Sequence, residues 1–365
     1  MRQTQNKLVK HLKENPFSIL MIALPLAFAA EVGHWGAIWV FVLSAVGVIP
    51  MAGYIGSATE SLAVVTGPKI GGLLNATLGN AAELIITLIA IRAGLLELVK
   101  ASITGSILGN LLLVLGMSMI GGGLKHGIQH FDRRQASNNA ILLSLTIIAL
   151  IIPSLFSHSI GPDNDPRVET LSIGVSVVVL VLYGLGLFYS LTLPKSPVIG
   201  PAIEAHAKPE WTLPQALVVL ALATGAVVWL SEMLVGATEV VVVDLGLSEF
   251  FLGIILIPIV GNVAEHFVAF QVALRNKMDL SVEIAVSSSL QIALFVAPLL
   301  VFVSLWMEHP LTLIFNQFEL LALIAAAVVT AMVSSDGESN WLEGAALLAV
   351  YIILGIGFFL LPAVK

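Results

Sequence analysis

Gly79-Asn80-Ala81-Ala82-Glu83 and Gly261-Asn262-Val263-Ala264-Glu265 are two copies of one pattern, each deep inside a long apolar stretch. A glutamate near the middle of a bilayer costs several kcal/mol, so its presence there marks a functional group. Two of them, in two matching halves, predict one polar site at a pseudo-symmetry axis, the usual plan of an ion-coupled secondary transporter.

Composition agrees with that setting. The chain has 365 residues, of which 58% are hydrophobic and 11% charged, with a mean hydropathy of +1.01. Soluble domains carry about 25% charged residues, so the sequence is that of an integral membrane protein with the lipid bilayer as its solvent. A net charge of -7 argues against nucleic acid, which calls for a basic face. The lack of cysteine excludes disulfides, thiolate chemistry and Cys-based zinc sites. No cleavage signal follows the polar, basic first fifteen residues, so the first helix is expected to be retained.

Apolar windows at 16–33, 36–56, 72–92, 99–121, 137–156, 170–193, 213–235, 250–274, 280–306, 317–333 and 342–362 predict eleven transmembrane helices in an all-α fold. With the N-terminus cytoplasmic and the C-terminus outside, twelve Lys and Arg residues fall on inner segments and four on outer ones, as the positive-inside rule requires. The Pro-punctuated stretch 194–212 reads as a cytoplasmic linker. The acidic loop 161–166 reads as solvated loop rather than a calcium site, because it lacks the later Glu of an EF-hand.

The repeat extends beyond the glutamates. Ala58-Thr59-Glu60 matches Ala237-Thr238-Glu239, and Ser102, Thr104, Ser106 and Asn110 correspond to Glu283, Ser287, Ser288, Ser289 and Gln291. Equivalent helices three and eight are five spans apart, an odd number, so they cross in opposite directions. The organisation expected is a basic tail (1–15), an extra helix (16–34), repeat A (36–193), the linker (194–212) and an inverted repeat B (213–362), each repeat holding five helices.

On a helix, Asn80 and Glu83 are three apart, as are Asn262 and Glu265, so each pair shares a face. Gly79 and Gly261 allow close helix approach and local unwinding that frees carbonyls toward a cavity. Pro258 removes a backbone donor before the second copy. Two carboxylates, two Asn carbonyls and main-chain oxygens suit a hard cation taking six to eight oxygens, above all Ca2+. Two bare carboxylates cannot persist together in a low-dielectric site; a divalent cation or protons must neutralise them. Occupancy by one excludes the other, which is the core of cation/proton exchange. Glu60 and Glu239 are expected near opposite mouths, one carboxylate per vestibule. Bland readings stand beside these: a buried Glu as an interhelical partner, the Ser/Thr/Asn set as packing glue, Glu60 and Glu239 as interfacial charges. His266, on a different face from Glu265, is read as a packing or gating residue.

Four segments carry a resemblance: GGLLNATLGNAAEL at 71–84, GSILGNLLLVLG at 105–116, PIVGNVAEH at 258–266 and SSLQIALF at 288–295. They closely resemble the signature repeats of the cation/proton exchanger (CAX) family, the Ca2+/H+ antiporter branch of the calcium/cation antiporter superfamily. The resemblance implies a low-affinity, high-capacity Ca2+ extruder driven by the proton gradient, with Glu83 and Glu265 as central ligands. Asn80, Asn262, Ser106, Ser288 and Gln291 match polar positions of the family site. The implied fold is an extra first helix and two inverted five-helix repeats. Ca2+ and protons would be substrates, with no resident cofactor, and a homo-oligomer stays open. Eukaryotic relatives often carry a long acidic helix between the halves, whereas this linker has only Glu204 and Glu210. The compact chain looks prokaryotic, which implies the plasma membrane. The alternatives are a Na+/Ca2+ exchanger of the same superfamily, which should need additional monovalent sites, and a divalent cation channel, which should need a continuous pore. An intramembrane protease lacks its motifs, since no His-Glu-x-x-His occurs.

Overall fold

In lipid every backbone polar group must be satisfied internally, and this chain meets that demand almost entirely with helices. The computed structural model describes residues 16–162, 165–192 and 209–362. The basic tail at 1–15 and the linker up to 208 lie outside the described residues. In chain order the helices are α1 (Phe17–Val32), α2 (Ala37–Thr66), α3 (Pro68–Leu78), α4 (Ala81–Arg92), α5 (Leu96–His126) and α6 (Arg133–Ile160). They continue with α7 (Pro166–Thr192), α8 (Leu213–Leu245), α9 (Glu249–Leu274), α10 (Met278–Ser304), α11 (Gln317–Val333) and α12 (Trp341–Phe359). Among the described residues, eight of these are long and apolar enough to cross a membrane, and α1 and α11 are shorter apolar helices. The protein is an integral membrane protein.

Local chemistry explains the starts. Asp132 caps α6 by accepting from the Arg134 and Gln135 amides, and Ser248 caps α9 by accepting from Phe251 N. Thr212 with Gln215, Asn316 with Glu319 and Asn340 with Glu343 form capping boxes at α8, α11 and α12.

The structure departs from the expected spans in two ways. The stretch expected as one span at 72–92 is split into α3 and α4 by a turn at Gly79 and Asn80. Helices α2 and α8 run past 56 and 235 to Thr66 and Leu245, so Glu60 and Glu239 lie inside helices. Hydropathy closes the window early because Gly, Ser, Thr and Glu dilute it there, but backbone hydrogen bonding does not need apolar side chains. A small addition to the all-α reading is β1 (Gln129–His130), paired antiparallel with β2 (Glu338–Ser339) between two loops on one face.

α2 and α8 pack lengthwise and run antiparallel. Gly47 lies against Leu230, the Tyr54 ring meets Trp211, and Ser57 bonds Glu210. α5 and α10 are the most completely buried spans. Apolar burial gives little drive for helices to associate in lipid, so close backbone contact matters more. Gly105 of α5 shows it: a Cβ there would collide with the Ile254 carbonyl and the Pro258 ring of α9. Three π-helical turns interrupt the buried helices, Gly109–Val114 in α5, Leu252–Leu256 in α9 and Ile292–Val296 in α10.

At the face opposite the β1–β2 bridge, residues 310–316 form a non-helical strap. Leu311, Leu313 and Phe315 are buried in the alternation of an extended chain. Their amides donate to Ser304 of α10 (2.8 Å), Ser172 of α7 (3.1 Å) and Ser154 of α6 (2.8 Å). In the nearby acidic loop, Arg167 donates to both Asp165 carboxylate oxygens. Those hydrogen bonds hold the half-buried Asp165 carboxyl down at about 2, committed to Arg167.

Candidate functional site

The turn between α3 and α4 sets the first copy of the repeat. Asn80 occupies the N-cap position of α4 but makes no cap bond. Its Nδ2 instead donates to Gln291 Oε1 of α10 at 2.7 Å. Glu83 follows in the first turn of α4, where the helix dipole favours a negative charge. Asn80 Oδ1 and Glu83 Oε1 are buried and have no hydrogen-bond partner among the described residues. Leaving such atoms unpaired costs about 1–3 kcal/mol each, more for a charged group, so they mark a place built to meet something else.

The second copy lies within the unbroken part of α9, from Ile257 to Leu274. Asn262 Nδ2 donates to the Pro258 carbonyl (3.1 Å) and to Ser106 Oγ of α5 (3.3 Å). Glu265 Oε2 accepts from Ser288 Oγ of α10 at 3.0 Å. The copies face one another: a Cβ on Gly261 would stand 3.3 Å from Glu83 Cγ, so a side chain there would push the Glu83 side chain by a few tenths of an ångström. The two carboxylates are within electrostatic reach of each other. The structure therefore brings Asn80, Glu83, Ser106, Gly261, Asn262, Glu265, Ser288 and Gln291 together, with Gly79 beside Gln291.

A cavity of about 550 Å3 leads to this cluster. Phe17, Tyr54, Glu60 and Glu210 line its exposed end, while Gly79, Ala82, Gly261, Glu265, Ser288 and Gln291 line its depth. Ser57 Oγ donates to Glu210 Oε2 (2.6 Å) at the mouth. Glu60 thus sits in the vestibule. Glu239 lies at the other end of α8, within electrostatic reach of Glu249 at the start of α9. The pairing of α2 with the start of α8 puts these two glutamates at opposite ends.

Among the described residues no three His, Asp or Glu side chains converge as a ready metal cage. Two carboxylates, supplemented by amide and hydroxyl oxygens, can hold a hard cation only in a shell that the surrounding helices complete. Such a site suits a passing ion.

Sequence reasoning underrated three residues. His266 is buried, with Nε2 3.1 Å from Asn110 Oδ1, and Asn110 Nδ2 donates to Ser288 Oγ at 3.1 Å. Asn110 was legible only as one of a polar set on its helix. Glu319 is fully buried, accepting from Thr104 Oγ1 (3.1 Å) and Asn316 N (2.8 Å). The signal for Glu319 was the Asn-x-x-Glu capping box opening an apolar run.

Residues 36–192 and 215–360 match the family described as sodium/calcium exchanger protein. The chain is 45% identical over 349 residues to the Ca(2+)/H(+) antiporter ChaA of Bacillus subtilis (strain 168), covering 94% of this chain and 99% of that one. It is 42% identical over 366 residues to the Ca(2+)/H(+) antiporter of Aphanothece halophytica, covering 96% and 98%. The solved structure of native YfkE superimposes with a TM-score of 0.83 at 44% identity, over 94% of this chain and all of that one.

Proposed function

The chain belongs to the sodium/calcium exchanger protein family, and from that membership we propose that it exchanges Ca2+ for protons across a membrane by alternating access. Its near-full-length relatives at 45% and 42% identity are both Ca(2+)/H(+) antiporters by name. The observation that carries the reading is the convergence of Glu83 on Glu265, which lines the depth of one cavity, with Glu83 Oε1 buried and unpaired among the described residues. Two carboxylates balance one divalent cation or two protons. A single Na+ would leave a negative charge uncompensated in a low-dielectric site. Asn80, Asn262, Ser106, Ser288 and Gln291 supply the remaining oxygens or fix the carboxylates, and Gly79 and Gly261 keep the approach open. Ca2+ and protons pass through as substrates, and the reading needs no resident cofactor.

The topology that fits is eleven crossings, with 36–193 and 213–362 as inverted repeats after an extra first helix. With the N-terminus cytoplasmic in a prokaryotic plasma membrane, the Glu60 vestibule opens to the cytoplasm and the conformer described is inward-facing. Glu239 then serves the outer vestibule.

The test is transport in proteoliposomes with an imposed pH gradient, with and without Na+. Proton-driven Ca2+ uptake independent of Na+ is expected. Uptake that requires a Na+ gradient and ignores the pH gradient would overturn the proposal in favour of Na+/Ca2+ exchange.

A further inference from the structure

Glu265 is one end of a hydrogen-bonded chain that leads away from the cavity. Ser288 Oγ donates to Glu265 Oε2 (3.0 Å), Asn110 Nδ2 donates to Ser288 Oγ (3.1 Å), and Asn110 Oδ1 stands 3.1 Å from His266 Nε2. Ser288, Asn110 and His266 are all buried. The chain crosses three helices: α10, α5 and α9. The π-helical turn that begins at Gly109 carries Asn110, and the His266 imidazole packs beside Gly109, its Cε1 3.9 Å from where a Cβ would stand.

Each member of the chain fixes the polarity of the next. A hydroxyl has one proton to give. If Ser288 gives it to Glu265, its oxygen must accept from the Asn110 amide nitrogen. Asn110 Oδ1 then faces His266 and needs a donor. A buried imidazole that makes no ion pair among the described residues is neutral and carries one N–H. Only the Nε2–H tautomer satisfies every bond.

We infer that His266 is a positioning residue for Glu265. Donating from Nε2, it orients Asn110 so that the Ser288 hydroxyl donates to Glu265, which fixes the position of that carboxyl group at the cavity wall. The device is one-sided. The register that aligns Glu83 with Glu265 and Ser106 with Ser288 places Leu84 opposite His266 and Ile292 opposite Asn110. Neither apolar residue can take part, so no imidazole stands at the corresponding place on the Glu83 side.

The inference rests on the proposed Ca2+/proton exchange, and the experiment separates the two. Ca2+ uptake is measured in proteoliposomes at one fixed pH for the wild type, His266→Leu and His266→Gln. Leucine cannot donate, whereas the Gln amide can donate from near the position of Nε2. The half-saturating Ca2+ concentration should rise roughly tenfold in His266→Leu while the maximal rate stays within about twofold, as loss of one bond backing a charged group predicts. His266→Gln should recover to within about threefold of wild type. Wild-type affinity in His266→Leu, or equal impairment in both variants, would overturn the role, the second result meaning that the ring only packs. Nitrogen-15 spectra of the Ca2+-loaded wild type give an independent reading, with the His266 signals assigned by their absence from His266→Gln. A protonated Nε2 and a bare Nδ1 are expected, and a protonated Nδ1 with a bare Nε2 overturns the inference even if His266→Leu fails to insert. A wild type without proton-driven uptake would instead sink the exchange reading itself.

Discussion

The two copies of the Gly-Asn-x-Ala-Glu pattern share a sequence and differ in almost everything else. The first sits at a break between two helices, and Asn80 Oδ1 and Glu83 Oε1 are left without partners among the described residues. The second lies inside a continuous helix, with Asn262 tied to Ser106 and Pro258 and Glu265 tied to Ser288. Glu265 lines the cavity, while Glu83 is reached past Gly261. The difference teaches that a symmetric sequence need not give symmetric ligands. In one conformer, one carboxylate is held ready at the wall and the other is kept with unspent bonding capacity. A transporter that alternates between two sides needs such inequality at each moment, since two identical half-sites would open and close together.

The strongest way to break the comparison is to neutralise each carboxylate. Glu83→Gln and Glu265→Gln keep size but delete charge, and each should cut proton-driven Ca2+ uptake by roughly 100-fold or more, the scale of losing a charge-assisted contact. Inserted protein with near-wild-type uptake in either variant would remove that residue from the site. Next in size is the effect of protons. If protons and Ca2+ share the two carboxylates, acidification must weaken Ca2+ binding, because the protonated form is the one that cannot bind the cation. Apparent affinity should fall by about tenfold to a hundredfold per pH unit in the competing range, the steeper slope meaning that both groups must be freed. An affinity flat between about pH 5 and 8 would place the protons elsewhere.

The serine pair sharpens the comparison further. Ser288→Ala removes a donor to a carboxylate, worth about 1.5–3 kcal/mol, so Ca2+ affinity should fall roughly 10- to 100-fold. Ser106→Ala removes one of two acceptors for Asn262, a bond of about 0.5–1.5 kcal/mol, so roughly 2- to 10-fold is expected. Equal effects in direct Ca2+ titrations would mean that the inequality of the halves is not felt by the ion. The smallest effects should come from the mouths. Glu60→Gln should slow Ca2+ loading from the vestibule side and Glu239→Gln should slow proton entry from the other, each leaving most activity. The chain has no cysteine, so single Glu60→Cys and Glu239→Cys variants can be probed cleanly. Equal reactivity of both toward an impermeant thiol reagent added from one side would contradict their opposed placement.

How much of this was legible in the sequence follows from what each feature costs. Glu83 and Glu265 announced themselves because a carboxylate in an apolar stretch is expensive, and the matching polar set on α5 and α10 marked where their partners would come from. The glycines marked both copies alike for local unwinding, but that only the first breaks, at Gly79 and Asn80, was not legible, because the same five-residue pattern continues as helix in α9. Tertiary packing against Gln291 and the Pro258 turn decides between the two outcomes. The three π-helical turns left no periodicity signal, although two of them carry or adjoin Asn110 and Gln291. His266 read as packing because neighbours on a helix diverge; its contact with Asn110 exists only once α5 and α9 cross at Gly105. Glu319 hid in a capping box, where Glu is commonplace.

The strap at 310–316 bears on how the protein is made. Its amides at Leu311, Leu313 and Phe315 are satisfied by hydroxyls from α10, α7 and α6, so the strap ties the second half of the chain to two helices of the first. Until those three helices are in place, an unpaired strand at that depth would be intolerable. The strap is therefore a late-docking piece in biogenesis, and its seating certifies that both halves of the chain have met. Removing one serine should leave mature molecules largely able to work while lowering the fraction that completes assembly, so a defect at Ser154 or Ser172 would show first as lost yield.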